Sequence, residues 1–284
     1  MRSVRGRRQV AAQLALAAVG LFVLVPIWGM AVIAFDGSIP GRPEDIRLFP
    51  AQPSLALFVD VWQNGTQSLP FAGLLRNSLI VSGGAALASL VLGVSMAYAF
   101  ARLRFPGRHA GMIALLIGTL LPPVALMTPL YILLSAVHLR TSQLALVIVY
   151  ASLSMPLCVW LMRAAFHAVP RDLDEAVYLE GGGQWQAFRH VALPIAAPSI
   201  AVAVLFAFLV GYSEFAIGWL FVDRSDLVTL AMAMAGSDIG MYSSQWGRQA
   251  ALTLMMAIPV VLAFLVLQRR LLGDVRLGIG TDAT

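Results

Sequence analysis

The sequence predicts an all-α, polytopic membrane protein with six transmembrane helices. The chain of 284 residues is 60% apolar and 12% charged, and its mean hydropathy of +0.83 is too high for a soluble domain of ordinary composition. Crossing a hydrocarbon core takes roughly 20 apolar residues. Six runs meet that length, at about 11–34, 74–101, 111–135, 142–165, 199–222 and 249–268. An even number of spans leaves both termini on one side of the membrane.

The first run follows an arginine-rich start, as a secretory signal peptide does. Its apolar stretch exceeds the roughly 7 to 15 residues typical of such peptides, and no convincing small-residue cleavage site follows before Phe35. We therefore expect an uncleaved anchor. The next segment, 36–70, is rich in proline, which predicts an irregular external loop with one short helix near Phe58 to Trp62. This loop either helps to seat an extracytoplasmic partner or covers the bundle without a specific role.

The positions of the arginines predict the orientation of the chain. Most of them flank span ends that share one face, which the positive-inside rule makes cytoplasmic together with both termini. These are Arg2, Arg5, Arg7, Arg8, Arg102, Arg104, Arg108, Arg163, Arg171, Arg189, Arg269, Arg270 and Arg276. The others lie among acidic residues near the outer face, namely Arg42, Arg47, Arg76, Arg140, Arg224 and Arg248. The basic balance suits contact with anionic membrane lipid, and no nucleic-acid motif is present.

The sequence contains no lysine, so every basic side chain other than the histidines is an arginine. A phosphate-binding loop of the Walker type requires its lysine, and that ATP site is therefore excluded from this chain. The single Cys158 rules out an intrachain disulfide and is expected to be a small core residue of span four. We predict no catalytic residue and no metal site.

The most informative segment, 170–194, is polar and helix-forming but lies between two apolar spans. Pro170 suits the first turn of a helix, where a missing N–H costs nothing. Asp172, Asp174 and Glu175 then complement the positive end of the helix dipole. A short helix is therefore expected to begin here.

Three glycines, 181–183, are expected to end that helix. A second short helix over 184–191 then places Trp185 and Phe188 on one face, and Leu193-Pro194 is expected to end it. Two short helices joined by a glycine corner make a protruding loop. The alternative is an ordinary amphipathic helix at the membrane surface.

This segment resembles the EAA loop of bacterial ABC importer permeases. Set against the pattern E-A-A-x3-G-x9-I-x-L-P, it supplies Glu175, Ala176, Val177, Gly181, Val191, Leu193 and Pro194, with conservative changes at only two positions. In that family the loop is the cytoplasmic element that couples the permease to its ATPase subunit. The resemblance therefore implies a transport subunit rather than an enzyme.

The resemblance covers roughly residues 72–272 and is strongest to the second permease subunit of maltose-type systems. It implies a type I ABC importer permease fold in a bacterial or archaeal cytoplasmic (inner) membrane. Residues 1–71 would hold the N-terminal segment, the first helix and the external loop. The transmembrane domain would be 72–272, with the EAA loop at about 166–198, and 273–284 would be a cytoplasmic tail. The tail departs from the family's usual glycine-rich ending, which leaves its contact with the ATPase open.

The same resemblance implies the partners of the chain. They are a homologous second permease subunit, two ATPase subunits and an extracytoplasmic solute-binding protein. The ATPase would bind ATP and Mg²⁺, and this chain would carry no cofactor. The implied substrate is a sugar, best matched by a maltose-, maltodextrin- or trehalose-like oligosaccharide, with glycerol phosphate or another polyol as the alternative.

Glu214 is the one acid that we place within a span, and a carboxylate in lipid is costly and by default functional. Tyr212, Ser213 and Glu214 are expected to face the translocation pathway, where an aromatic ring and hydroxyl groups suit a sugar. The carbohydrate branch of the family often reads W-N-E/D-F here, so the match is partial. In the alternative, Glu214 lies near the outer end of its helix and pairs with Arg224 or Arg248.

Two further features of the spans bear on transport. Small residues along span two, among them Gly84 and Gly93, predict close helix packing or, alternatively, a moving interface. Spans three and four contain prolines that favour kinks, and broken helices often line a pathway: Pro122, Pro123, Pro129 and Pro156.

A proton-coupled secondary transporter is the alternative of a different class, because Glu214 could serve as its proton site. Six spans rather than a dozen and the lack of a visible internal repeat argue against it. A docking loop without a partner would also be unexplained.

Overall fold

The computed structural model describes residues 2–38, 45, 47–65, 69–236 and 245–272. Its helices are α1 (Arg2–Phe35), α2 (Ala56–Asn64), α3 (Phe71–Arg102), α4 (Arg108–Leu120), α5 (Pro123–Ala136), α6 (Gln143–Ala168), α7 (Arg171–Leu179), α8 (Gln184–Gln186), α9 (Leu193–Ser213), α10 (Ala216–Phe221), α11 (Leu230–Gly236) and α12 (Trp246–Leu272). A π-helical segment, Ala187–Ala192, joins α8 to α9. The all-α prediction is confirmed. The predicted tail at 273–284 and Arg42 of the external loop lie outside the described residues.

Helices α3, α6 and α9 pack against one another in all three pairs and form the centre of the molecule. Their buried side chains divide into two apolar clusters. One cluster lies toward the EAA loop and includes Tyr98, Met162 and Phe166. The other lies toward the opposite end and includes Tyr150 and Tyr212. The three packed helices therefore connect the EAA loop with the end of the molecule at which α9 stops.

Small residues let α3 and α6 approach closely, as the sequence predicts. A Cβ on Gly84 would lie 2.7 Å from a methyl carbon of Val147, and one on Gly93 would lie 2.8 Å from the methyl carbon of Met162. Both distances are too short for real side chains. These glycines therefore fix the separation of the two central helices.

Five helices within the described ranges are long and apolar enough to cross a membrane. The predicted run at 111–135 is instead a broken pair, because α4 and α5 meet at an angle of 102°. The break falls at Leu121 and Pro122, where proline both lacks an N–H and disfavours a helical residue before it. Counted as one bent span, the pair gives up to six spans in total.

The prediction of one helix across 199–222 is wrong. Helix α9 ends at Ser213, and α10 begins only at Ala216. The carboxylate of Glu214 accepts hydrogen bonds from the N–H groups of Ile217, at 3.1 Å, and Gly218, at 3.4 Å. Glu214 therefore caps the next short helix instead of continuing its own, because an acidic side chain readily satisfies the first N–H groups of a helix.

The first and last spans lie at the edge of the bundle. Helix α1 packs against α12, and only 6% of its most apolar window is buried. An apolar helix that is exposed over most of its surface is typical of a lipid-facing span. The short helix predicted near Phe58 to Trp62 is confirmed as α2, which packs against α12 beyond the bundle.

The ion pairs found in the described residues each join side chains at one end of the bundle. Opposite the EAA loop these are Arg47–Asp36, Arg140–Asp223, Arg224–Asp226 and Arg248–Asp60, and at the EAA loop it is Arg102–Asp174. None of them pairs an arginine predicted for one face with an acid predicted for the other. This agrees with the grouping of charges into two faces, whereas which face is cytoplasmic stays a prediction.

Asp36 organises the start of the loop that follows α1, which is predicted to be external. Its carboxylate accepts hydrogen bonds from the Ser38 hydroxyl at 2.6 Å and from the Ala51 N–H at 2.8 Å. These bonds hold the pKa of Asp36 well below its usual range. The backbone of Pro53 also forms an isolated bridge with that of Asp36, so the carboxylate and the backbone of Asp36 together tie residues 51–53 to the end of the first span.

Candidate coupling loop and translocation cavity

Helix α7 forms the first arm of the EAA loop. Pro170 occupies its N-cap and two aspartates fall in its first turn, so the predicted start of this helix is confirmed. Leu173 and Leu179 are 41% and 90% exposed, whereas Asp174 is the one buried residue of the helix. An apolar surface left exposed on a charged loop is typical of a docking face.

Gly181 and Gly182 form the corner that ends α7, which confirms the predicted glycine break. Gly181 has a φ of +82°, a left-handed conformation that favours glycine. The Gly182 N–H donates to the carbonyl oxygen of Val177 over 2.8 Å. A Cβ on Gly182 would lie 2.5 Å from Val177 Cγ1, while one on Gly183 would meet nothing within 4 Å. The structure therefore adds Gly182 to the positions that require glycine.

The second arm, α8, continues through the π-helical segment into α9 without a break. The Leu193 N–H donates to the carbonyl oxygen of Phe188, five residues back, and Pro194 follows in the first turn of α9. The prediction that Leu193-Pro194 ends this helix is wrong. A proline ring normally clashes with the carbonyl four residues earlier, and the wider π turn relieves that clash.

The residues that match the EAA pattern are spread along both arms of the loop. Glu175, Ala176, Gly181 and Pro194 are exposed, and Val177, Val191 and Leu193 are half-buried. Glu175 forms no ion pair with any residue that the structure describes. Its side chain is exposed, as docking to a partner protein would require. The coupling role of these residues stays a prediction.

Aromatic contacts hold the second arm against the bundle. The ring of Phe188 lies 4.7 Å from that of Tyr98 on α3 and 6.3 Å from that of Phe166 on α6. The ring of Trp185 contacts that of Phe188 in a tilted arrangement, with 5.3 Å between ring centroids, and Trp185 remains 66% exposed. The predicted shared face of Trp185 and Phe188 is confirmed, and it extends the aromatic packing of the bundle to the protein surface.

Arg102 holds the first arm. Its Nη1 lies 3.4 Å from Asp174 Oδ2, and the two side chains are only 7% and 12% exposed. Its Nη2 donates to the carbonyl oxygen of Val169 over 2.5 Å. The sequence does not predict this contact: Arg102 indicates only the orientation of the chain, and Asp174 only the start of a helix. No local signal joins two residues that lie on helices so far apart in the chain.

The three residues predicted to face the translocation pathway stand where α9 ends. Tyr212 is buried, and its hydroxyl donates to the carbonyl oxygen of Met256 on α12 over 3.0 Å. Ser213 is exposed, and its hydroxyl donates to a carbonyl of its own helix over 2.8 Å. Glu214 is half-buried and caps α10. Tyr212 is therefore tied into the helix packing, while Ser213 and Glu214 lie nearer the surface.

The ion pair predicted in the alternative, between Glu214 and either Arg224 or Arg248, does not form. Arg224 pairs with Asp226 at 2.6 Å, and this contact holds the pKa of Asp226 below its usual range. Arg248 pairs with Asp60 at 2.7 Å. The expectation that Glu214 lies near the end of its helix is right, but its partners are backbone N–H groups.

Two separate cavities flank the end of α9. Glu214, Trp160 and Thr119 line one of about 560 Å³ between the bent α4–α5 pair, α6 and α9. Tyr212 and Ser213 line the other, also of about 560 Å³, between α9, α11 and α12. The structure thus places the three consecutive residues on two cavities. It also adds Trp160, which sequence analysis missed although a tryptophan inside an apolar span is a visible signal.

Comparison with known proteins identifies the family. Residues 89–272 match the model of the binding-protein-dependent transport system inner membrane component. The chain is 33% identical to the maltose/maltodextrin transport system permease protein MalG of Salmonella typhimurium, over 72% of this chain and 70% of that protein. It is 29% identical to the trehalose transport system permease protein SugB of Mycobacterium tuberculosis, over 73% and 76% of the two chains.

The fold has a close counterpart among solved structures. A chain of a bacterial ABC transporter involved in the import of the acidic polysaccharide alginate superposes with a TM-score of 0.75, at 20% identity, over 95% of this chain and 98% of that one. The fold is therefore that of an ABC importer permease, a multi-pass protein of the inner membrane. The chain belongs to the family of binding-protein-dependent transport system inner membrane components, and the resemblance stated from the EAA loop is confirmed.

Proposed function

We propose that this chain is the membrane-spanning subunit of an ATP-driven sugar importer and that its EAA loop receives a separate ATPase subunit. That partner binds ATP and Mg²⁺, and an extracytoplasmic binding protein delivers the sugar. A homologous second permease subunit completes the pathway. The observation that carries the proposal is α7, where Leu173 and Leu179 are exposed while the one buried residue, Asp174, is charged.

Both arms of the loop support docking of a partner. Leu173 and Leu179 on the first arm and Trp185 on the second expose apolar surface, and surfaces of this kind are typical of protein interfaces. Glu175 lies among them with an exposed side chain. The glycine corner fixes the angle between the arms, so that a partner meets one defined shape.

The substrate is a sugar, with an oligosaccharide of the maltose, maltodextrin or trehalose type as the best match. The names of the relatives MalG and SugB support this class. So does the cavity beside α9, because the ring of Trp160 suits the apolar face of a sugar, and Glu214 and Thr119 can bond its hydroxyl groups. Ser213 extends the polar surface of the pathway, and Tyr212 positions the end of α9 through Met256.

The EAA loop and both termini face the cytoplasm in this proposal. The arginines clustered at the EAA-loop end support that orientation by the positive-inside rule. The external loop, α2 and the segment between α9 and α12 then face the binding protein on the opposite side.

Co-purification tests the docking of the ATPase. The tagged chain, expressed with its neighbouring transport subunits and extracted in mild detergent, should bring down an ATPase subunit. Glu175→Gln and Gly181→Ala should weaken that association, whereas Glu180→Gln and Gly183→Ala, at exposed positions outside the EAA pattern, should not. If no ATPase accompanies the wild-type chain, the proposed coupling is wrong and proton-coupled transport must be tested instead.

Uptake assays test the substrate class. Proteoliposomes that contain the full transporter and its binding protein should accumulate radiolabelled trehalose or maltose only when ATP is present inside. Uptake of glycerol 3-phosphate with exclusion of both sugars would overturn the oligosaccharide assignment. The affinity of the isolated binding protein for the same three compounds shows whether the binding protein already selects the substrate before it reaches the permease.

A further inference from the structure

The attachment of α7 to the bundle depends on a charge rather than on apolar packing. Its two leucines, Leu173 and Leu179, are exposed, Val177 is half-buried, and the one residue that it buries is Asp174. The partner of this carboxylate is Arg102, the last residue of α3. A helix that receives force from a partner protein is therefore held to the membrane bundle by an ion pair.

Arg102 fixes a corner as well as a helix. Its second nitrogen donates to the carbonyl oxygen of Val169, the C-cap of α6, directly before Pro170 opens α7. The guanidinium thus touches the end of α6 and the first turn of α7 from the end of α3. One turn earlier on α3, Tyr98 packs against Phe188 of the second arm. The end of α3 therefore contacts both arms of the EAA loop.

The pair is buried but makes fewer contacts than its chemistry allows. A guanidinium can give two parallel hydrogen bonds to a carboxylate, yet the two groups here make one contact at 3.4 Å. Arg102 Nε and Asp174 Oδ1 are buried without a hydrogen-bond partner in the described part of the chain. Separating the pair would leave two uncompensated buried charges, which is strongly unfavourable.

We propose that Arg102 and Asp174 form the link that makes α7 and α3 move together when the ATPase acts on the EAA loop. Both are positioning residues, and neither belongs to the EAA pattern. Helix α3 packs against α6 and α9; α6 carries Trp160, and α9 ends directly before Glu214, and both residues line the cavity. A displacement of α7 is thereby passed through α3 to the cavity walls. This inference rests on the proposed docking of the ATPase.

A reporter cysteine tests the link without knowledge of the substrate. Thr119→Cys, in a Cys158→Ser background, places a thiol in the cavity lined by Glu214. In the full complex, the rate at which a membrane-impermeant maleimide labels this thiol should change on ATP addition. We expect Arg102→Gln and Asp174→Asn each to reduce that ATP-dependent change by about tenfold, within the usual range of coupling between sites, while ATP hydrolysis and ATPase co-purification persist.

Charge exchange and a matched arginine provide the controls. The double variant Arg102→Asp with Asp174→Arg should restore the response, because it rebuilds the pair with reversed charges. Arg104→Gln removes an exposed arginine two residues after Arg102, beyond the end of α3, and should leave the response as in the wild type. An unchanged response in both single variants overturns the link. The link is also overturned if the single variants lose ATPase co-purification and the charge-exchanged double variant restores it, because the pair would then act in docking. Failure of the wild type to bind an ATPase instead refutes the proposed function.

Discussion

The side-chain amide of Asn77 on α3 donates a hydrogen bond to the carbonyl oxygen of Val228, 3.0 Å away, and fastens the chain between α10 and α11 to the bundle. The same amide donates to the carbonyl oxygen of Asp226 over 2.8 Å, and its oxygen accepts from Gln143 of α6 over 2.9 Å. Asn77 is fully buried. One asparagine thus joins two central helices to the segment that follows the end of α9.

Replacing Asn77 by alanine should lower the stability of the protein. The variant leaves two carbonyl groups and the Gln143 amide without their partner in a buried site, which should cost about 2 to 3 kcal/mol. Thermal unfolding in detergent, followed by circular dichroism, measures the loss. Ser95→Ala on the exposed side of the same helix is the control, and an equal melting temperature in both variants would contradict the argument.

Gly182→Ala should impair coupling far more than Gly183→Ala. The new methyl group at 182 would overlap Val177, while the one at 183 meets open space. Forcing the corner open displaces α7, and we expect ATPase association to weaken by about tenfold, equivalent to ~1.4 kcal/mol. Quantitative co-purification compares the two neighbouring variants directly, and similar losses in both would show that the corner tolerates side chains.

Substitutions at Glu214 should separate the effect of its charge from its role as the cap of α10. Glutamine keeps an oxygen that can accept from the Ile217 N–H but removes the charge, so Glu214→Gln should retain stability and reduce sugar uptake. Glu214→Ala should lose stability as well, by about 1 kcal/mol for a missing cap. Uptake and substrate-stimulated ATP hydrolysis, each measured with trehalose and maltose, provide the readouts. If both remain at the wild-type level in Glu214→Gln, the pathway role of this carboxylate must be abandoned.

The ion pair between Asp60 on α2 and Arg248 on α12 should make stability depend on pH. Hydrogen bonds from Arg248 and Asn64 hold the pKa of Asp60 below its usual range. Because the folded pKa lies below the unfolded one, the pair stabilises the protein above the unfolded pKa, near 4. This stabilisation disappears as the pH falls through the folded pKa. It should be about 1 kcal/mol or less at this partly exposed site.

Melting temperatures of the wild type and Asp60→Asn, measured between pH 7 and pH 3, isolate this effect. The advantage of the wild type should be present at pH 7 and vanish at the acidic end. A difference that stays constant over the whole range would assign the effect of Asp60 to packing instead of ionisation.

The sequence was informative wherever the relevant signal is local. The start of α7 after Pro170, the left-handed Gly181, the break before Pro123 and the short helix α2 all follow from neighbouring residues. The continuation of the second arm through Pro194 was not predictable in this way. It depends on a π turn that contains Phe188, whose ring packs on Tyr98 of a distant helix.

The sequence by itself determined the membrane class, the number of apolar runs and the EAA spacing. Hydropathy is read along one continuous run of roughly 20 residues, and helix-end chemistry acts within one helical turn. Tertiary structure alone decided that Arg102 meets Asp174 and that Tyr212 and Glu214 line different cavities. These features arise where helices distant in the chain pack together, and a break in one helix redirects the side chains that follow it. Contacts of that kind depend on the three-dimensional arrangement of α3, α6 and α9, which no short stretch of sequence encodes.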